Sequence, residues 1–366
     1  RAGWEGLLER SDFEVRLFHF GRVRSHGLLL TSEQAGLDPA GCQDPAEALG
    51  VDETSACRRF LLELGFVGEP FHGSHNTGNE ERCPTVLGEL MRAAQRLELP
   101  VGGQCANGPA AWSALSCVDR GVHARSFWVA TPVLRVPREE APPGRHSHGL
   151  AARLMHALPA ELRVHRAVAM PCTADFHHGR TVASREYRYY LPQELLGSAE
   201  GAERRLRAAL QRFVGDQCFM NFTELKKLGL KEQIRRSSAL QQWAAELSRW
   251  RRLRREAGHR PGTSVSGIQV HPTLVTATQR TVLRAELMAA PAELLCIRVV
   301  GCGFLYNMVR YMVGAAAAVA RGSLPMEALE EALRGKVCVD LSEHLAPACG
   351  LVLHSQALRR LPWLAC

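Results

Sequence analysis

From residue 57 onward the sequence switches between a two-residue and a 3.6-residue hydrophobic period, and the order of the switches limits the folds open to it. Segment 59–67 (RFLLELGFV) reads as a strand ended by Gly68 and Pro70. Pro84 and Thr85 then open a helix whose apolar Val86, Leu90, Met91, Ala94 and Leu97 fall near helical spacing. Strands are expected at 112–118 and 127–136, on either side of the turn Asp119-Arg120-Gly121, with loops at 102–109 and 138–149. A short helix, strands 162–170 and 184–191, and a helix at 201–213 follow. Strands 281–288 and 293–300, helices 304–320 and 326–334, and a strand at 351–355 close the pattern. Strands and helices mix without strict β-α-β alternation, which specifies an α+β fold with a largely antiparallel sheet. Residues 1–56, with a strand expected at 13–20, read as an N-terminal extension.

The longest apolar run, 312–320, is broken by Gly314 and is far shorter than a bilayer span, so membrane-spanning helices are excluded. The net charge of +8 favours an anionic partner. It is carried by 41 arginines and four lysines, a bias that a GC-rich genome also produces. The 12 cysteines are scattered with no C-x-x-C pair, which points to free thiols rather than a disulfide scaffold or a structural zinc site. The compartment is read as reducing and intracellular: a mitochondrion or other organelle, otherwise cytoplasm or nucleus. The chain starts at Arg1 rather than Met, which leaves room for a removed targeting segment. His146, His148, His177 and His178 sit in expected loops with no partner at ligand spacing, so no metal site is expected.

Segment 226–260 holds 11 Lys or Arg against three Glu and looks inserted. Leu240, Trp243, Leu247 and Trp250 form a stripe within it, the signature of an amphipathic basic helix. Either the stripe packs on the domain, or the helix docks RNA or a partner. Arginines 249, 251, 252, 254 and 255 are the candidate phosphate contacts.

Three further segments carry candidate chemistry. In 304–320, Phe304, Leu305, Met308, Val309, Met312, Val313 and Ala316 make one helix face, and Gly303, Asn307, Arg310 and Gly314 the opposite one. Arg310, between glycines, could approach an anion closely, or be an ordinary surface arginine. Asp119 ends an apolar strand in a Gly-containing turn, where a carboxylate either projects into a cleft or merely forms the turn. Arg185, Tyr187 and Tyr189 alternate on one strand face, a pattern suited to phosphate contact and base stacking.

Taken together, these segments resemble the TruA-type tRNA pseudouridine synthase family. GCGFLYNMVRYMVG (301–314) is similar to the family helix motif, and VDRGVHA (118–124) to the end of its R-T-D-x-G-V-H-A. DFHHGRTVASREYRYY (175–190), Arg280-Thr281-Val282 and APACGL (346–351) resemble three more motifs, in order. The resemblance covers roughly 57–358. It implies a pseudouridine synthase fold: a mostly antiparallel central sheet flanked by helices, with two lobes around a central cleft. The N-terminal lobe (57–198) would carry Asp119, and the C-terminal lobe (199–366) the basic helical insert at about 223–279.

The resemblance further implies that Asp119 is the catalytic carboxylate, acting on the ribose of a flipped uridine. Arg310 would pair with it, within roughly 4 Å, and keep it ionised. Tyr187 would stack on the target base. Arg120, His123, Arg180 and Arg185 would contact RNA, and no cofactor would be needed. The family arginine two residues before the Asp is Cys117 here, and the H-D of a G-x-H-D-F motif is replaced by Gln217-Cys218. Arg120, Arg125 and Arg180 are candidates to supply the missing charge. Two readings follow. One is an active synthase acting on tRNA or other structured RNA. The other is a catalytically reduced, RNA-binding structural or assembly component of a ribonucleoprotein such as an organellar ribosome. Contacts to a homodimer partner or to neighbouring ribonucleoprotein subunits would run through 1–56 and 223–279.

Overall fold

A computed structural model describes residues 57–75, 82–99, 112–136, 148–170, 181–197, 200–224, 231–256, 268–290 and 294–359. The expected extension 1–56, its strand at 13–20, the loop at 102–109 and Arg180 lie outside these residues, as do the side chains of Arg251, Arg254 and Arg255. In chain order the elements are β1 (Cys57–Phe66), α1 (Val86–Arg96), β2 (Ser113–Ala114), β3 (His123–Ala130), β4 (Leu134–Arg135), α2 (His148–Ala157), β5 (Leu162–Met170) and β6 (Val182–Pro192). They continue with α3 (Ala202–Gln211), β7 (Gly215–Cys218), α4 (Lys231–Arg236), α5 (Ser238–Glu256), α6 (Pro272–Thr278), β8 (Gln279–Met288), β9 (Leu294–Gly301), α7 (Met308–Ala320), α8 (Met326–Arg334) and β10 (Leu351–Leu358). The result is the α+β composition expected from the sequence. Among the described residues no helix is long and apolar enough to cross a membrane.

Two compact units divide the chain at Ala183/Ser184 and at Leu351/Val352. The first takes the described residues up to Ala183 and those from Val352. Its β1 pairs antiparallel with β3, β4 and β5, β2 pairs with β3, and β10 runs parallel to β3 (Val352↔His123). Leu61, Leu115, Trp128, Ala130, Met170 and Val182 close a core there. Helix α1 starts where Thr85 Oγ1 accepts the Gly88 N–H (3.1 Å), satisfying one of the orphan donors of the first turn.

The second unit, Ser184–Leu351, orders its strands β6-β9-β8-β7, all antiparallel. Helices α3 and α7 pack on each other. The basic segment is built into this unit. Leu240, Trp243 and Leu247 of α5 are buried against Met220, Ile268, Val270, Leu274 and Cys338, and Trp250 packs at the edge. Trp243 Nε1 donates to the Gln269 carbonyl (2.7 Å), so the stripe is core and not an exposed docking anchor.

Three local expectations need correction. The strand expected over 112–118 is only Ser113–Ala114, because Val118 bonds both its backbone groups to Ser74 instead of to a neighbouring strand. Gly149, placed in a surface loop with His148, lies in α2. The helix expected from Phe304 begins at Met308, and all its residues except Arg310 are buried. A helix apolar all round belongs inside, and the alanines at 315–318 leave it no polar face.

Candidate functional site

In the first unit, Asp119 stands in a tight turn after β2. Its carbonyl accepts the Val122 N–H (3.2 Å), and Gly121 at φ +77° supplies the left-handed third position of such a turn. A clasp from residues 68–74 fixes the turn on both sides. The Ser74 N–H donates to the Val118 carbonyl (3.0 Å), and the Val118 N–H donates to Ser74 Oγ (2.9 Å). Gly68 lies so close that a Cβ there would sit 2.0 Å from the Val122 carbonyl oxygen. Asp119 is therefore half-buried on a rigid backbone, with Arg120 and Cys117 exposed beside it.

His123, a candidate RNA contact, is buried, and its Nδ1 accepts the Gly68 N–H (3.2 Å). It anchors the clasp rather than facing solvent. Arg125 donates through Nη1 to His354 Nε2 (2.8 Å). Because residues 115–119 are not in a strand, the two-residue alternation that would aim Cys117 and Asp119 to one side does not apply.

In the second unit, β6 presents Arg185, Tyr187 and Tyr189 on one face. Tyr189 is fully buried, and its hydroxyl donates to the Pro347 carbonyl (3.0 Å). Tyr187 is buried edge-to-face against Phe304, with ring centroids 5.2 Å apart. Arg185 is half-buried; desolvation pushes its guanidinium below the ordinary arginine value, and Tyr187 opposes that shift. The opposite face carries Glu186, which accepts from Arg188 Nε (2.9 Å) and Arg298 Nη2 (2.8 Å).

Arg310 is placed by an unusual entry into α7. Asn307 caps the helix at φ +59°, a left-handed conformation that asparagine tolerates better than most residues. Its Oδ1 accepts from Arg310 Nη1 (2.8 Å), and its Nδ2 donates to Glu224 Oε1 (3.2 Å). Arg310 Nε donates to the Ala346 carbonyl (2.7 Å), and the Ala346 N–H returns to the Arg310 carbonyl (3.3 Å). Within this unit, among the described residues, Arg310 bonds only neutral acceptors. One guanidinium face is thereby fixed while its charge is left uncompensated there.

The second unit thus carries Arg185 and Tyr187 on β6 and Arg310 on α7, while Asp119, Arg120 and His123 belong to the first. Arg249 and Arg252 are exposed on α5, and Arg252 makes only a long, solvent-exposed contact with Glu256 (3.9 Å). Sequence reasoning missed Ser74, Phe304 and Asn307 as parts of the site. Only the glycine spacing at 68 and 73 and the GCG–Asn run at 301–307 hinted at them. Among the described residues no group of three or more His, Cys, Asp or Glu is placed to hold a metal ion.

Comparison with known proteins adds to this geometry. A family model described as tRNA pseudouridine synthase matches residues 262–356. A tRNA pseudouridine synthase A of Methanocella arvoryzae is 30% identical over 170 residues, 45% of this chain and 52% of its own. The chain thus spans about half the length of that relative. A tRNA pseudouridine synthase A of Methanosarcina barkeri is 26% identical over 302 residues, covering 81% of this chain and 82% of its own. A tRNA pseudouridine synthase A 2 of Desulfotalea psychrophila is 24% identical over 292 residues, covering 73% and 87%. With its motifs in the same order, the chain is similar to TruA-type pseudouridine synthases over these segments.

Proposed function

We propose that this chain isomerises uridine to pseudouridine in tRNA or another structured RNA. The observation that carries the reading is Arg310, held by Ala346 and Asn307 with no carboxylate among the described residues of its own unit to neutralise it. A guanidinium fixed in this way serves a carboxylate or a phosphate brought to it. In this reading Asp119 is the carboxylate, kept ionised by Arg310, and it acts on the ribose of an extruded uridine. The N1–C1′ bond breaks, the base turns, and a C5–C1′ bond forms. C5 gives up a proton and N1 gains one, so no electrons enter or leave and no cofactor is called for. Tyr187 stacks on the base, which offsets part of the few kcal/mol that flipping requires.

The test is mass-spectrometric counting of pseudouridine in tRNA and rRNA from cells lacking the protein. A missing mark restored by wild type but not by Asp119→Asn supports the reading; a full complement of marks in the null cells refutes it.

The structural ribonucleoprotein role, with contacts through 1–56 and 223–279 or between two copies, is the second reading, and the two part at position 117. Position 117 offers an exposed cysteine, and the nearby Arg125 is engaged with His354. Single-turnover assays of wild type and Cys117→Arg separate the two. Turnover by wild type sets the structural role aside, whereas turnover gained only with Cys117→Arg supports it.

A further inference from the structure

We propose that Arg280 and Arg185 form a phosphate subsite on the sheet face that carries Tyr187, gripping the RNA backbone beside the target nucleotide. This rests on the function proposed above. Arg185 of β6 and Val282 of β8 both stand opposite Gly301 of the central strand β9. Side chains alternate along a strand, so Arg280, two residues before Val282, shares the face of Arg185 and Tyr187. Arg280 therefore lies further along the same face, beside Gly303, and Arg185 stands beside a central position that has no side chain. Glycine is required there, because a Cβ at 301 would lie 2.8 Å from Phe304 Cζ and 2.9 Å from the Thr281 carbonyl oxygen. Phe304, the ring that Tyr187 meets edge-on, fills that space and brings the half-site up to the two arginines.

The surroundings of Arg280 suit an anion. Nη1 donates to the Ala277 (3.1 Å) and Gln279 (2.6 Å) carbonyls, and the side chain lies along Gly303, with Cδ 3.7 Å from where a Cβ would stand. Among the described residues no carboxylate pairs with it. The nearest acid on the adjoining strand, Asp216, is registered with Thr281 and accepts that hydroxyl, which turns it to the other face. That other face also shows what compensated arginines look like here: Arg298 is bound by Glu186 (2.8 Å) and Glu286 (3.2 Å). Arg280 is half-buried, and desolvation alone pushes it below the ordinary arginine value, so its charge is held in a partly dry place without a counter-ion. A phosphate oxygen pair matches the guanidinium fork.

The experiment uses the full chain and an RNA hairpin containing the target uridine, with single neutral methylphosphonates placed in turn at the flanking linkages. For wild type, neutralising one linkage should weaken binding about tenfold, the usual scale for one charge-assisted contact. Arg280→Gln should weaken binding to native RNA by a similar factor, raise KM more than it lowers kcat, and reduce the salt slope by about one. On the RNA neutralised at the critical linkage, the substitution should cause no further loss. Arg280→Lys, which keeps the charge and loses the fork, should fall between the two and guards against a folding defect in the glutamine variant. Losses that add at every linkage, for both variants, overturn the subsite. Absence of pseudouridine formation by wild type would overturn the function proposed above, while saturating losses at one linkage would still support the subsite.

Discussion

Gly314 sits in the middle of α7, where helix propensity and close packing make opposite predictions for Gly314→Ala. Propensity alone favours alanine by about 1 kcal/mol. The structure opposes it, because a Cβ at 314 would lie 1.6 Å from the His344 carbonyl oxygen, 2.7 Å from its carbon and 3.1 Å from the Ala346 nitrogen. All three are backbone atoms, so no rotamer change relieves the clash. Segment 344–346 must instead move away from the helix by well over an ångström. That displacement breaks the Ala346 N–H to Arg310 carbonyl bond and pulls the Ala346 carbonyl from Arg310 Nε. The first loss costs about 1 kcal/mol and the second, to a charged donor, about 2 kcal/mol. Net destabilisation of about 2 kcal/mol should appear as a lower denaturant midpoint at unchanged slope. Pseudouridine formation should fall by more than the unfolded fraction explains, since Arg310 loses its support. A variant as stable as wild type, or more stable by the propensity increment, would refute this account of how Arg310 is held.

Three more outcomes follow from the same geometry. Burial, with Arg321 adding to it and Asp340 opposing, lowers the His344 pKa from 6.5 to about 4. The folded state thus resists the proton that the unfolded state accepts, so stability is intact above about pH 6.5 and declines as pH falls toward 4, by at most about 3 kcal/mol. Denaturation at pH 7.5, 5.5 and 4.5 should show a shallower decline for His344→Leu, and an identical decline would exclude His344 as the cause. Trp243→Phe should lower stability by about 1–3 kcal/mol, because it removes the bond to the Gln269 carbonyl; an unshifted denaturant midpoint would mean that α5 is not docked through this residue. Replacing Arg249 and Arg252 with Gln should change stability by less than about 0.5 kcal/mol, yet reduce the salt slope of RNA binding by about one to two, and an unchanged slope argues for a protein partner on that helix face.

Periodicity located nearly every element: the β1, β5, β6, β8 and β9 strands and the α8 helix fall within a few residues of their expected bounds. It failed where the backbone leaves a regular pattern for a partner distant in sequence. Val118 looked like strand because its neighbours are apolar, but its bonds go to Ser74, 44 residues earlier. Phe304 looked like helix because its spacing fits the apolar stripe of α7, but Asn307 takes a left-handed conformation and delays the helix to Met308. Asp119, Tyr187 and Arg310 were legible only through the motifs around them. Their supports were not, since Ala346 acts on Arg310 through backbone groups that every residue possesses, and Ser74 reaches the Asp119 turn from a segment distant in sequence. The amphipathic pattern of α5 was legible, but the choice between packing and docking needed the tertiary contacts of Trp243.

The failures and the successes share a physical cause. In each unit a candidate residue stands where backbone is brought unusually near. Gly68 lets the Val122 carbonyl approach beside Asp119, and Gly314 lets the 344–346 backbone reach Arg310. Bonds to neutral carbonyls and amides fix direction without cancelling charge, whereas a carboxylate at the same distance would fix direction and cancel the charge together. The arginines of the opposite sheet face, bound by Glu186 and Glu286, illustrate the second arrangement. A cation held in the first way is still available to an anion brought to it. Held by neutral acceptors, Arg310 and Arg280 differ in this respect from Arg188 and Arg298, which Glu186 binds.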